Sequence, residues 1–386
     1  MPMRRVFIAG ASLLKVDEYW GDTIDSMVTE VVDGLGETRP WRIDSIYVAN
    51  AVGEVLQGQA NLGALVAENL GLAGVPSLRV EAGGASGAAA LLTGYQAILS
   101  GLANTVLVVG VEKLSDATPE EAVMMPTLSE RYDYVGFQGA TEASIAAMMY
   151  RIYLEKFELP QEMVAQFPVI MHEHASKSPH AQYQFKTTLE NVLSSPVVSP
   201  PLRRLETTSP ADGAAAVLLC SSDTLSKLPH ERAVELVGAA SSTDFIFPFE
   251  REDPLRLTAA ARAFNEALAK SGLSKEDIKI LEIHDSYSII ASLILESIGY
   301  SAPGSSGVDA KNGAYDHGGK VVVNTFGGLK ARGHPLGATG VYQAAEIFLQ
   351  LTEKAGPCQV DGAKVGGMIS LSGLGSSAYT LVMREV

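Results

Sequence analysis

Three short segments hold side chains whose types and spacing could do chemistry. The longest is Asn324-Thr-Phe-Gly-Gly-Leu-Lys-Ala-Arg-Gly-His-Pro-Leu-Gly-Ala-Thr-Gly340. In it an apolar strand signal runs into a glycine-rich turn, a lone His334, a proline and a run of small residues. Pro335 and Gly337 fit a helix start, where backbone N–H groups lack intrahelical partners. A histidine at that edge can donate a hydrogen bond to a developing oxyanion. The second segment, Glu282-Ile-His-Asp-Ser-Tyr287, closes an apolar strand signal. Polar residues at strand C-termini line the ligand crevices of open α/β sheets, which makes His284 a candidate partner for His334. The third, Val80-Glu-Ala-Gly-Gly-Ala-Ser-Gly87, is a strand-to-helix turn of the kind that displays a nucleophile. Its displayed position is Gly84, which has no side chain. The nearby hydroxyl, Ser86, also fits a helix N-cap.

These turns need a layered scaffold to bring them together. Short apolar runs read as buried strands at Val6–Ala9, Ser45–Ala49, Thr105–Gly110, Ala214–Leu219, Val234–Val237, Ile278–Ile283, Val321–Asn324, Gly367–Leu371 and Ala378–Val382. Helical patterns separate them at Ile24–Leu35, Ala60–Leu70, Gly84–Ser100, Leu255–Lys270, Ser288–Ile298 and Leu336–Thr352. Such alternation implies an α/β fold whose sheet faces are covered. Between about Lys113 and Leu205 the chain is richer in Met, Pro, His and Tyr, with helical pieces at Ala140–Phe157 and Gln161–His174. A stretch this long between two strands reads as an inserted lobe. The flanking parts resemble one another: Gly83-Gly84-Ala-Ser-Gly opens a small-residue helix carrying Gln96, and Gly337-Ala-Thr-Gly340 opens one carrying Gln343. An internal duplication would place two helix starts at a common centre.

Composition narrows the class. The chain has 386 residues, 47% of them apolar and 19% charged, which suits a folded protein with a large core. The formal charge of −15 argues against nucleic acid and against anionic lipid as partners. It leaves an anionic small ligand open, because binding follows the local field. Two cysteines, Cys220 and Cys358, make a disulfide framework or a cysteine-based zinc site implausible and point to a reducing, cytoplasmic setting. No apolar run has the length of a membrane helix. The leader-like start Met1-Pro-Met-Arg-Arg reads instead as the approach to a first strand. His172 and His174 are two apart on a helix and do not share a face, so no metal site is expected. Glu112-Lys113 reads as an ion pair at the lobe junction, Asp212-Gly213 as a tight turn, and Asp316-His317 as surface loop.

The three segments together resemble the thiolase superfamily, specifically its archaeal and sterol-carrier-protein-type branch, whose strand-end motif begins His-Asp. Val108–Leu114, Ser178–Gln182, Ser195-Pro196, Pro201-Leu202, Asp212–Ala216 and the glycine-rich Gly366–Ser377 also match, so the resemblance spans nearly the whole chain. It implies a duplicated five-layered αβαβα fold: residues 1–112 and a return strand within 206–232 as the first half, 113–205 as a loop domain over the active site, and 233–386 as the second half. It further implies a homodimer and acyl-CoA thioester substrates with no separate cofactor. His284 and His334 would hold the thioester oxygen, and Gly84, Ser86, Ser286, Gly328 and Gly373 would line the substrate site.

The departures matter equally. The family's nucleophilic cysteine sits in Glu-Ala-x-Cys-Ala-Ser-Gly, where this chain has Gly84. The acid/base cysteine that follows His-Asp is replaced by Ser286, and the loop Ser370-Leu-Ser-Gly-Leu-Gly-Ser376 carries no cysteine. Glycine cannot form an acyl-enzyme. Both histidines remain and, with the Gly84 N–H, could stabilise a thioester enolate. The expectation is therefore aldol or retro-aldol chemistry without an acyl-enzyme, as in thiolase-like steroid side-chain aldolases, with Tyr287 as proton donor or base. Two rivals stand beside it. One is an acetyl-CoA acyltransferase with a relocated nucleophile. The other is a non-catalytic acyl-CoA-binding subunit in complex with a zinc-ribbon/OB-fold partner, a partner that the catalytic reading also allows.

Overall fold

The structure is a computed structural model that describes residues 4–36, 42–228 and 232–386; Met1–Met3, the first residues of the leader-like start, lie outside them. Twelve strands are described: β1 (Val6–Leu13), β2 (Ser45–Ala49), β3 (Ser77–Val80), β4 (Thr105–Glu112), β5 (Val197–Ser199), β6 (Leu202–Arg203), β7 (Gly213–Ser221), β8 (Val234–Thr243), β9 (Ile280–Ile283), β10 (Val322–Val323), β11 (Val365–Ser372) and β12 (Ser377–Glu385). Ten of them form one sheet in the order β10-β9-β11-β12-β8-β1-β7-β4-β2-β3.

That order is two copies of one pattern placed back to back. In the first copy β1, β7 and β4 pair antiparallel, then β4, β2 and β3 parallel. In the second, β8, β12 and β11 pair antiparallel, then β11, β9 and β10 parallel. The copies join where Phe7 and Ile8 of β1 meet Glu235 and Val234 of β8. Every residue of β4 and β7 is buried, as expected of strands covered on both faces.

The helices supply the cover. Helices Ser86–Leu99 and Thr339–Leu351 pack against each other between the halves, and each touches strands of both. Helices Ile24–Asp33 and Leu62–Asn69 cover the outer face of the first half, and Thr258–Ser271 that of the second. The result is five layers, αβαβα. The central crossing is very close. A Cβ on Gly340 would lie 2.3 Å from the Ala88 backbone nitrogen, and one on Gly87 would lie 2.5 Å from that of Val341. Glycine is required at both positions because backbone packs on backbone.

Both central helices start after a short 3₁₀ turn, at Gly83–Ala85 and at Leu336–Ala338, so the regular helices begin two to three residues later than the sequence pattern suggests. The chain between β4 and β7 forms the inserted lobe. Its expected helix Gln161–His174 is broken into Gln161–Val164 and Gln166–Ala175, with Pro168 taken up in the first turn of the second piece. The lobe shares a core with the second half: Tyr150, Phe167 and Met171 belong to one cluster with Ile283, Ile290 and Leu293. The small strands β5 and β6 pair only with each other and were not legible as strands. Among the described residues no helix is long and apolar enough to cross a membrane.

Candidate active site

The sheet brings the three singled-out segments to one place. β9 ends at Ile283, so His284 to Tyr287 fill the gap between strand and helix Ser288–Ser297. The imidazoles of His284 and His334 stand edge to face, with centroids 5.1 Å apart and planes at 88°. Gly84 lies directly beneath His284: a Cβ there would be 2.8 Å from His284 Cε1 and 3.1 Å from the Leu371 carbonyl oxygen. Any side chain at position 84 would have to displace that imidazole.

Both histidines are buried and held neutral. Burial, with help from the nearby Arg332 guanidinium, pushes His284 down to about 3. Burial, His284 and Arg332 also drive His334 well below the ordinary histidine range. His334 Nδ1 lies 2.7 Å from the Thr339 hydroxyl, and His284 Nδ1 has no hydrogen-bond partner. Arg332 is itself wholly buried and ion-paired to Glu346 at 3.0 Å, and His180 Nε2 meets the same Glu346 oxygen at 2.9 Å. A fixed cation thus sits behind the imidazole pair.

Asp285 does not face the site. Its carboxylate accepts the backbone N–H of Leu329 at 2.7 Å, and burial raises it to about 6. Gly328 makes room for this arrangement: a Cβ would fall 2.5 Å from Asp285 Oδ1 and 2.2 Å from Asn324 Nδ2. Gly328, expected to line the substrate site, makes room for Asp285. Ser86 is tied into its own turn. Its hydroxyl donates to the Gly83 carbonyl at 2.6 Å and accepts from the Ala82 N–H at 2.9 Å, closing the turn on itself, and it is not the N-cap. Ser286 is buried beside the pair with its hydroxyl unbonded. Gly373 sits in the β11–β12 turn at φ +50°, against Glu130.

Tyr287 and His334 line the same cavity, of about 120 Å³, together with Leu114, Ala143, Val198 and Arg204. Neither cysteine reaches it. Cys220 is on β7 and Cys358 in a turn after the second central helix, and burial pushes both thiols up to about 12. The expected Glu112–Lys113 ion pair does not form. Glu112 accepts the N–H groups of Ala51, Val52 and Gly337 at 2.7–3.1 Å, while Lys113 pairs with Asp116. Asp212 is a tie as well as a turn residue, accepting from Leu114 at 2.6 Å and Tyr19 at 2.8 Å. Among the described residues no group of His, Cys, Asp and Glu is arranged to hold a metal. Sequence reasoning assigned no role to Arg332, Thr339, Glu130 or Glu142. Their only signals are a charge inside an apolar, glycine-rich run and acids beside apolar neighbours.

A duplicated α/β sandwich with two helix starts and two buried histidines at its centre defines the class. Family models agree. Residues 21–223 match "Thiolase, N-terminal domain" and residues 240–385 match "Thiolase C-terminal domain-like". The chain belongs to the thiolase family. It is 37% identical to an acetyl-CoA acetyltransferase of Methanothermobacter thermautotrophicus, over 97% of this chain and 98% of that one. It is 31% identical to sterol carrier protein 2 of Oryctolagus cuniculus, over 99% of this chain and 72% of that one. Among solved structures, one described as "Ltp2-ChsH2(DUF35) aldolase" superposes with a TM-score of 0.84 over 98% of this chain and 97% of that chain, at 20% identity, which speaks to the fold.

Proposed function

We propose that this chain makes or breaks carbon–carbon bonds of acyl-CoA thioesters through a thioester enolate, by aldol or retro-aldol chemistry, with no cysteine acyl-enzyme. The observation that carries this reading is the packing of Gly84 against His284. The position that should present a nucleophile has no side chain, and an imidazole occupies the space one would need. Neutral imidazole N–H groups are suited to hold an enolate oxygen, because they donate a hydrogen bond without first losing a proton. With the Thr339 hydroxyl donating to His334 Nδ1, the Nε2–H of His334 is free to face the cavity. Tyr287 supplies the proton chemistry at the cavity wall. The resemblance in fold to a chain from an aldolase complex supports this reading. That title pairs the chain with a DUF35 protein, in line with a partner for this one, and a homodimer and a zinc-ribbon/OB-fold partner stay part of the proposal.

A second reading, an acetyl-CoA acetyltransferase, is favoured by the name of the 37%-identical relative. It needs a new nucleophile, and Ser286, two residues after His284 with a buried, unbonded hydroxyl, is the candidate. One experiment separates the two: intact-mass spectrometry after incubation with acetyl-CoA and longer acyl-CoAs, with CoA release followed in parallel. The aldol reading expects no acyl adduct, no CoA release, and cleavage of 3-hydroxyacyl-CoAs to a carbonyl compound plus a shorter acyl-CoA. A stable adduct mapped to Ser286 or a cysteine overturns it in favour of the acyltransferase. Binding without any turnover overturns both in favour of a non-catalytic subunit.

A further inference from the structure

Behind Tyr287 lies a group of acids that the chemistry above does not use. The Tyr287 hydroxyl faces Glu142, the first residue of helix Glu142–Phe157. Glu142 and Glu130 converge on Thr127, whose hydroxyl accepts the Glu142 N–H at 3.0 Å and whose carbonyl accepts the Glu130 N–H at 3.1 Å, and the Glu130 charge bears on the Glu142 carboxyl. All three side chains are buried, Glu130 to 2% exposure. Glu130 Oε1 accepts the Leu374 N–H at 2.7 Å, while Oε2 is buried with no hydrogen-bond partner. Gly373 leaves space for this carboxyl, since a Cβ there would lie 2.4 Å from Oε1.

The nearby cation is Arg251, whose guanidinium donates to the carbonyls of Phe245 and Leu374 at 3.0 and 2.8 Å and not to either acid. His334 and Arg204 line the cavity on the other side of Tyr287. Two carboxyls buried side by side cannot both ionise. A carboxyl oxygen with no donor, beside a second acid, is satisfied when the two share a proton.

We infer that Glu142 and Glu130 are a proton-sharing pair that loads and unloads Tyr287 during the aldol step on 3-hydroxyacyl thioesters. This rests on the aldol reading above. In cleavage, the 3-hydroxyl proton passes to the Tyr287 oxygen as the Tyr287 proton passes to Glu142. The O–H electron pair becomes the new carbonyl π bond. The Cα–Cβ bond breaks, and its pair forms the enolate that the histidines hold. The aldehyde or ketone leaves, and the stored proton returns through Tyr287 to Cα, giving the acyl-CoA with no net oxidation. Glu142 and Glu130 touch no reacting atom and act as positioning residues.

Burial raises both carboxyls above the ordinary carboxylate range, Glu130 to about 7, and the nearby Glu130 charge raises Glu142 further. Cleavage needs Glu142 unprotonated, so it should fall as pH drops, with a limb above the ordinary carboxylate range. The test uses 3-hydroxybutyryl-CoA and its 3-methyl homologue as probes for the full chain. Glu142→Gln should lower kcat about 10²–10³-fold, leave KM within about twofold, and remove the pH limb. Glu130→Gln should keep turnover but move the limb to lower pH, because the repulsion is gone. Infrared titration should show a buried carboxylic acid band in the wild type whose midpoint moves to lower pH in Glu130→Gln. Wild-type cleavage with an unchanged limb in both variants overturns the pair alone. The infrared band without any wild-type cleavage keeps the proton pair and overturns the aldol reading.

Discussion

The two halves place corresponding strand ends around one centre and use them differently. In the second half, the chain after β9 carries His284, which stands against His334, and Tyr287, which lines the cavity. In the first half, the corresponding β2 runs into Asn50-Ala51-Val52, which binds Glu112 from the end of β4. Glu112 also reaches across to the Gly337 N–H of the second half, at 2.9 Å. The first half therefore spends its buried polar groups on holding the centre together, and the second presents its own to a cavity. A duplicated fold can divide labour in this way because either copy alone satisfies the geometry of the other's helix start.

The largest way to sharpen that contrast is His334→Ala. Loss of an oxyanion donor should cost about 10²–10³ in kcat on 3-hydroxyacyl-CoA while the melting temperature hardly moves, checked by steady-state kinetics beside calorimetry. Glu112→Ala is the opposite case. It orphans three buried backbone N–H groups, and urea unfolding should show a loss of about 3 kcal/mol. Retained stability there would break the comparison.

Gly340→Ala comes next, at about 2 kcal/mol, because its methyl would press on the Ala88 backbone. Asp316→Asn is the smallest. Its hydrogen bond to His174 Nε2, at 3.0 Å, ties the lobe to the second half and lowers Asp316 to about 2. A depressed carboxylate stabilises above its unfolded pKa and loses that contribution as pH falls, here between about pH 4 and pH 2. The side chain is 42% exposed, so the effect should stay below about 1 kcal/mol, and the pH dependence of the unfolding midpoint should flatten in the variant.

Much of the scaffold was legible because its strands are continuous apolar runs and its central helices open on glycine. β3 escaped as a separate strand since Ser77-Leu-Arg-Val is four residues long and carries an arginine. The histidine pair was legible from its two motifs, although nothing local says that residues 50 apart stand edge to face. Gly328 and Ser86 make contacts in the structure that their motifs do not reveal. A glycine or serine in a functional turn looks the same whether it meets a ligand or makes room for a neighbour, and only the contacts of Asp285 and Gly83 decide. Asp316 lies in the surface loop that the sequence suggests, and it also ties the lobe to the second half through His174. Glu142 lies 145 residues from Tyr287 and reads as an ordinary acid at a helix start, so its burial emerges only when the lobe closes on the second half.

The bare-backbone crossing at Gly87 and Gly340 has a consequence for the chain's history and for its dissection. Each central helix presents one glycine, Gly87 or Gly340, whose bare backbone the other helix covers. A polypeptide of half this length would have to find that cover on a second copy of itself. Cutting the gene between the halves should therefore yield two fragments that are insoluble apart and recover their structure when expressed together.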